Sequence, residues 1–170
     1  FNQWLNRGRR WGRFVDVKIN ADEVYLNTAQ VERRWAIRRE MPFSIFFSSS
    51  TDPWQPLERK FRITRRVLDA MFEETPDVLI LQTHSSMITE DIERITALSR
   101  RCDLRVHISI EGDQDHLPGL PPPPCSLDGR IKLVKEFASR KITAVVCMAP
   151  LYPLLDPDHF FSRLAESGAS

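Results

Sequence analysis

The chain has 170 residues, 42% of them hydrophobic, which suffices for one core and is too short for two ordinary domains, so a single domain over residues 1–170 is expected. Lys and Arg total 24 against 23 Asp and Glu, a balance that excludes a global field able to gather nucleic acid or anionic lipid. No run approaches the roughly 18 apolar residues of a membrane helix and no secretory leader opens the chain, so a soluble cytoplasmic protein without a membrane partner is expected.

The chain begins at Phe1 and reads at once as mid-domain sequence, which leads us to expect residues upstream of it. The one basic exception to neutrality comes early, in RGRRWGR (Arg7 to Arg13). Its Arg and Trp side chains either stack on bases and clamp phosphates or form a plain solvated edge. FVDVKI (Phe14 to Ile19) then reads as a first strand. Asn20 caps a helix running to about Arg39, with Ala21, Val24, Val31 and Trp35 at helical spacing and Leu26 and Ile37 off that stripe. FSIFFS (Phe43 to Ser48) is a second strand, nearly all apolar as for one covered on both faces, and it runs into Ser49, Ser50, Thr51, Asp52 and Pro53.

The next helix carries Phe61, Ile63, Val67, Leu68, Met71 and Phe72 before Pro76 and Asp77 break it. VLILQT (Val78 to Thr83) is a third strand, ending in His84 and Ser85. Thr89 caps a helix to Arg101, and LRVHISI (Leu104 to Ile110) supplies another strand. The segment Glu111 to Ser126 holds Gly112, Pro118, Gly119 and the run Pro121 to Pro124, which no helix or central strand accommodates. It reads as a stiff extended loop, or as a ligand for a proline-recognising domain. Ser126 or Asp128 caps a helix to about Lys141, ITAVVCMA (Ile142 to Ala149) is a fifth strand, and a short helix from Asp158 ends the chain.

About five strand–helix units in a row suit part of a (β/α) barrel or a doubly wound sheet, and periodicity does not choose between them. Both architectures put working groups at the C-terminal strand ends, where the polar clusters Ser48 to Asp52, Thr83 to Ser86, Ser109 to Asp113 and Ala149 to Tyr152 fall. No GxGxxG or P-loop pattern follows a strand, which argues against dinucleotide and P-loop phosphate sites. Cys102, Cys125 and Cys147 are odd in number and far apart, giving neither a disulfide framework nor CxxC metal spacing. His84, His107, His116 and His159 form no HxH or HExxH pattern, and no Ser–His–Asp set supports the alternative of an unrelated (β/α) hydrolase.

Four segments in this order resemble the spore-photolyase-like branch of the radical S-adenosylmethionine (SAM) superfamily. They are VKINA (Val17 to Ala21), STDPWQPLERKFRITRRVLD (Ser50 to Asp69), RVHISIEGDQDHLPGL with CSLDGRIKLV (Arg105 to Val134), and VVCMAPLYP (Val145 to Pro153). TDPWQPLE and SLDGR are the most specific parts, and the likeness covers nearly the whole chain after Phe14. The resemblance implies a partial (β/α) barrel, parallel strands with helices outside, that holds SAM across the strand ends. It further implies a [4Fe–4S] cluster on a CxxxCxxC loop, whose reduced form cleaves SAM to methionine and a 5′-deoxyadenosyl radical that abstracts hydrogen from a substrate.

Residue by residue, the resemblance puts Thr51 and Asp52 on the SAM amino group, where a carboxylate suits an ammonium. The local alternative is an Asx or Ser/Thr turn before the following helix. His84 stands where relatives carry a Lys that meets the SAM carboxylate, a part imidazole plays only when protonated or as a neutral donor. Ser109 and Glu111, two apart, share one strand face and would reach the ribose hydroxyls; Ser109 is otherwise a small interior polar residue. Arg130 pairs with the SAM carboxylate or with Asp128, unless it forms a surface ion pair. Met148 and Ala149 line the adenine pocket, or simply belong to a buried strand. Cys102 and Cys147 read as core thiols.

Two departures qualify the likeness. Spore photolyases proper carry a hydrogen-donating Cys where this chain has Ser50, whose O–H bond is too strong for that task, so repair of spore photoproduct is not expected. No CxxxCxxC occurs in the 170 residues, so the chain by itself holds no cluster and cannot start the radical reaction. Two readings of the whole protein remain: a radical SAM enzyme whose cluster loop lies upstream, or a non-catalytic SAM- or nucleic-acid-binding descendant of the same barrel. The substrate is not legible.

Overall fold

The structure is a computed structural model that describes residues 8–10, 12–47, 51–116 and 119–170. Helix α1 (Ala21–Arg38) opens the folded body, with Asp22 and Glu23 in its first turn and Arg38 in its last, each matched to the helix dipole. Asn20 stands at its N-cap but makes no side-chain capping bond. The expected stripe is not the buried one: Val24, Val31 and Trp35 are exposed, while Ala29 and Ala36 face inward beside the half-buried Tyr25. These two alanines pack with Phe43, and the Tyr25 hydroxyl donates to the Glu74 carbonyl.

Four strands, β1 (Ser44–Phe47), β2 (Val78–Thr83), β3 (Asp103–Ser109) and β4 (Thr143–Cys147), form a parallel sheet in the order β1-β2-β3-β4. The register sets Leu79 beside Leu104 and Val106 beside Ala144. Residues 14–19 form no strand. Arg9 instead grips Asp16 through two bonds of 2.7 and 2.6 Å and covers the Phe14 ring at 3.7 Å, and the Ile19 carbonyl accepts from Arg66.

Between β1 and β2 the expected single helix is two, α2 (Glu58–Phe61) and α3 (Ile63–Ala70), parted by Arg62 at φ 51°. The Glu58 carboxylate accepts the Ile63 and Thr64 amides at 3.1 and 3.0 Å, capping α3 from the helix before it. After β2 it is Ser85, not Thr89, that caps, accepting the Met87 amide ahead of a 3₁₀ turn (Ser86–Asp91) and α4 (Ile92–Leu98). Thr89 turns its hydroxyl back onto the Ser86 carbonyl. Ser126 caps α5 (Leu127–Ser139), and Asp156 caps α6 (Pro157–Ala165).

The sheet is covered on one face. Leu79, Leu81, Leu104, Val106, Ile108 and Ala144 are almost wholly enclosed and join Leu68, Ile95, Val134, Phe137 and Phe160 of the helices in one core. The alternating residues Ile80, Gln82, His107, Val145 and Cys147 are only partly covered, and Phe46 is 47% exposed. The expectation that β1 is buried on both sides therefore fails: β1 is an edge strand, and among the described residues no helix covers its Phe46 side. Strand order without reversal explains this, because successive crossovers of one hand deliver every helix to the same face.

Candidate functional site at the strand ends

The site begins in the turn after β1. Asp52 Oδ1 accepts the Trp54 amide at 2.9 Å, so the Asx turn read from the sequence is present. The same carboxylate also reaches the next strand, accepting the Thr83 hydroxyl at 2.8 Å and the His84 amide at 2.8 Å. Asp52 thus both shapes its own loop and ties the ends of β1 and β2 together. Burial pushes its carboxyl up, but hydrogen bonds from His84, Thr83 and Trp54 outweigh burial and hold it below the ordinary range.

His84 follows β2 and faces two carboxylates. Its Nδ1 lies 3.7 Å from Asp52 Oδ2 and its Nε2 2.7 Å from Glu111 Oε1. Asp52 and Glu111 together raise its pKa to about 9 against the opposing effect of burial, so the ring is an imidazolium at neutral pH. Glu111, past the end of β3, is likewise pulled up by burial and pulled down further by His84 and Arg130. Its second oxygen lies 2.9 Å from Arg130 Nη1.

Arg130 sits in the first turn of α5, is 2% exposed, and donates from Nη1 to the Ser109 carbonyl as well. Its Nη2 is 3.8 Å from Asp115, whose Oδ1 accepts the Leu127 amide at the start of α5. The buried Nε has no hydrogen-bond partner among the described residues. The surface-pair and Asp128 alternatives for Arg130 both fail, since the side chain is enclosed and Asp128 is engaged by Arg163. The result is a continuous run of alternating charge, Asp52, His84, Glu111, Arg130, Asp115, across the C-terminal ends of three strands, with one carboxylate in excess of the cations.

Two clefts flank this run. One, of about 340 Å³, is walled by His84, Glu111, Arg130, Ala149, Tyr152 and Pro121. The other, of about 380 Å³, is lined by Thr51, Asp52, Val17, Lys18 and Phe46. Of the residues singled out in the sequence, the structure joins Asp52, His84, Glu111 and Arg130 directly and sets Ala149, before a cis peptide to Pro150, in the wall of the first cleft. Thr51 is exposed beside Asp52. Ser109 is engaged differently from Glu111: its buried hydroxyl accepts the Gln82 amide at 3.1 Å. Met148 packs against the core. Cys102 also packs there, whereas Cys147 stands on the open sheet face with Sγ 3.4 Å from His107 Nδ1, which corrects its reading as a core thiol. Burial raises the Cys147 thiol and lowers the His107 imidazole, so both are neutral.

Thr83, Asp115 and Tyr152 were missed as site residues. Thr83 is a strand-end hydroxyl inside a polar cluster already noticed. Asp115 meets the Leu127 amide 12 residues away, and the Tyr152 amide reaches the Glu111 carbonyl at 2.8 Å; no local spacing announces either contact. Arg7, Trp11 and Ser50 lie outside the described residues. A further buried carboxylate, Asp91, takes the Trp54 indole at 3.1 Å and Arg65 at 2.7 Å and joins the loop after β1 to the helices. Among the described residues no group of three or more His, Cys, Asp or Glu is arranged to hold a metal ion, and no helix is long and apolar enough to cross a membrane.

Fold and site define an α/β protein built on a parallel sheet, with a charged cleft where the strands end. The chain is 24% identical over 163 residues to an uncharacterized protein of Methanocaldococcus jannaschii, a match that takes in 95% of this chain and 56% of that protein. The chain therefore spans little more than half the length of that relative. No protein-family profile and no solved structure matches it.

Proposed function

We propose that the chain is the SAM-binding core of a radical SAM enzyme of the spore-photolyase-like type, with its sheet forming part of the wall of a (β/α) barrel. The observation that carries this reading is the alternating charge run at the strand ends, whose excess is one carboxylate. SAM carries a sulfonium and an ammonium against a single carboxylate, so its net charge complements the run. The one-sided sheet supports the barrel, because parallel sheets in open folds are covered on both faces while a barrel wall keeps its helices outside.

In this reading Asp52, with Thr51 beside it, receives the ligand's ammonium. Glu111 accepts from the ribose hydroxyls, and Ala149 with Pro150 forms the apolar wall for the adenine, backed by Met148. Arg130 holds Glu111 in place from beneath. The cluster is a different matter: three dispersed cysteines do not suit it, and its ligands are assigned to chain outside these residues. Bound by such ligands, a [4Fe–4S] group would supply the electron for reductive cleavage of the sulfonium. The residues seen here bind and orient SAM and keep water from it.

Calorimetric titration of the chain with SAM tests the reading. Asp52→Asn keeps the carbonyl acceptor for the turn but removes the charge, and should weaken binding at least about tenfold, the worth of one charge-assisted hydrogen bond. Absence of binding to the wild-type chain, or unchanged affinity in Asp52→Asn with circular dichroism preserved, overturns it.

A further inference from the structure

We infer that His84 is a displaceable counter-ion that occupies Asp52 and Glu111 in the free protein and surrenders Asp52 to the ligand's ammonium and Glu111 to its ribose hydroxyls. The inference rests on the SAM reading and deepens it, since it inverts the part that His84's position otherwise suggests. A ligand carboxylate approaching the ring finds Nε2 bonded to Glu111 at 2.7 Å and Nδ1 turned to Asp52 at 3.7 Å. An ammonium or sulfonium approaching the same place finds two carboxylates whose counter-ion is the most movable member of the run. The His84 side chain is 42% exposed, whereas those of Asp52 and Glu111 are 20% and 18% exposed and that of Arg130 is 3%. Of the two cations in the run, His84 is therefore the one placed to leave its carboxylates toward solvent.

The groups that bear on the ring come from several elements. Asp52 faces it from the loop after β1 and Glu111 from the end of β3; Arg130 of α5 stands behind Glu111, Asp115 of the long loop lies beyond Arg130, and the Tyr152 phenol belongs to the same cleft. When His84 leaves, it loses both carboxylates, and its raised pKa returns toward the ordinary histidine value. Binding between about pH 6.5 and the titration of the ligand's own amino group near pH 8 must then expel a proton. Affinity accordingly strengthens with rising pH over that interval. A histidine that instead anchored the ligand's carboxylate would keep its proton, and affinity would hold steady or weaken.

The test follows the His84 ring resonances by NMR through a pH titration, with and without saturating SAM, and measures the heat of SAM binding at pH 7.5 in buffers of different ionisation enthalpy. We expect the His84 pKa to fall by at least about one unit on saturation and the heats to report net proton release, with about three- to tenfold tighter binding at pH 7.5 than at pH 6.5. His84→Ala should bind SAM at least about threefold more tightly. An unchanged or raised His84 pKa with SAM bound, without proton release, overturns the inference while leaving the SAM reading intact. Absence of SAM binding at every pH overturns the reading and the inference with it. The NMR measurement uses the wild-type chain, so the outcome does not depend on the variant folding.

Discussion

Glu111 divides its carboxylate between His84 and Arg130, with Oε1 2.7 Å from the imidazole Nε2 and Oε2 2.9 Å from the guanidinium Nη1. Each oxygen serves a different cation, and one of those cations is enclosed. Glu111→Gln keeps the shape but offers a single acceptor and no charge, leaving Arg130 buried beside a neutral amide. We expect a loss of about 2–3 kcal/mol in urea unfolding, less than for a fully buried pair because the Glu111 side chain keeps 18% of its surface exposed. A change below about 0.5 kcal/mol would show that the pair carries no stability.

The raised pKa of His84 makes folding stability depend on pH, with a definite sign. A cation whose folded pKa lies near 9 instead of the ordinary 6.5 lends stability that is complete below about 6.5 and lost as pH climbs through about 9. The ring is 42% exposed, so solvent screening reduces the effect to about 1 kcal/mol. Thermal unfolding of the wild type should therefore fall in midpoint from pH 7 to pH 10. In His84→Gln that part of the slope should vanish, and an identical slope in both proteins would remove His84 as its source.

Much of the scaffold was legible because local chemistry decided it. VLILQT, with its apolar Val78 to Leu81 run, became β2 with its stated bounds, Ser126 capped α5, and Asp52 made the turn that its place before Pro53 and Trp54 suggests. Residues 14–19 alternate as a strand should, yet strand formation needs a partner edge as well as propensity, and no sequence signal reports whether an edge is on offer. On α1 the eye goes to Val24, Val31 and Trp35, whereas it is Ala29 and Ala36 that are buried, against Phe43 at the entry to β1. At the site, Asp52, His84, Glu111 and Arg130 were singled out in the sequence and Asp115 was not, and the contacts that link them span 27 residues from His84 to Glu111 and 19 from Glu111 to Arg130. That His84 meets two neighbouring carboxylates follows from the approach of separate strand ends, which periodicity does not encode.

The one-sided sheet yields a contrast between neighbouring strands. Leu79 is fully enclosed on the helix side, so Leu79→Ala should cost about 2–5 kcal/mol in denaturant unfolding. Phe46, on the open face and 47% exposed, should lose no more than about 1 kcal/mol as Phe46→Ser. Similar losses at both positions would mean that the Phe46 face is covered in solution.

The relay also predicts that its two acidic and basic halves are energetically one unit. Arg130→Met removes a cation that is 2% exposed and leaves Glu111 with His84 alone, and should cost about 3 kcal/mol or more. Once Arg130 is gone, the Glu111 carboxylate no longer has a buried partner to neutralise, so adding Glu111→Gln should cost far less than it does in the wild type. A double-mutant cycle on urea unfolding should thus give a coupling of at least about 1 kcal/mol between the two positions. Arg130 further bonds the Ser109 carbonyl, which Glu111→Gln leaves untouched, so its single variant should remain the more damaging of the two. Strict additivity in the cycle would mean that the 2.9 Å contact contributes nothing and that Arg130 acts through the β3 backbone alone.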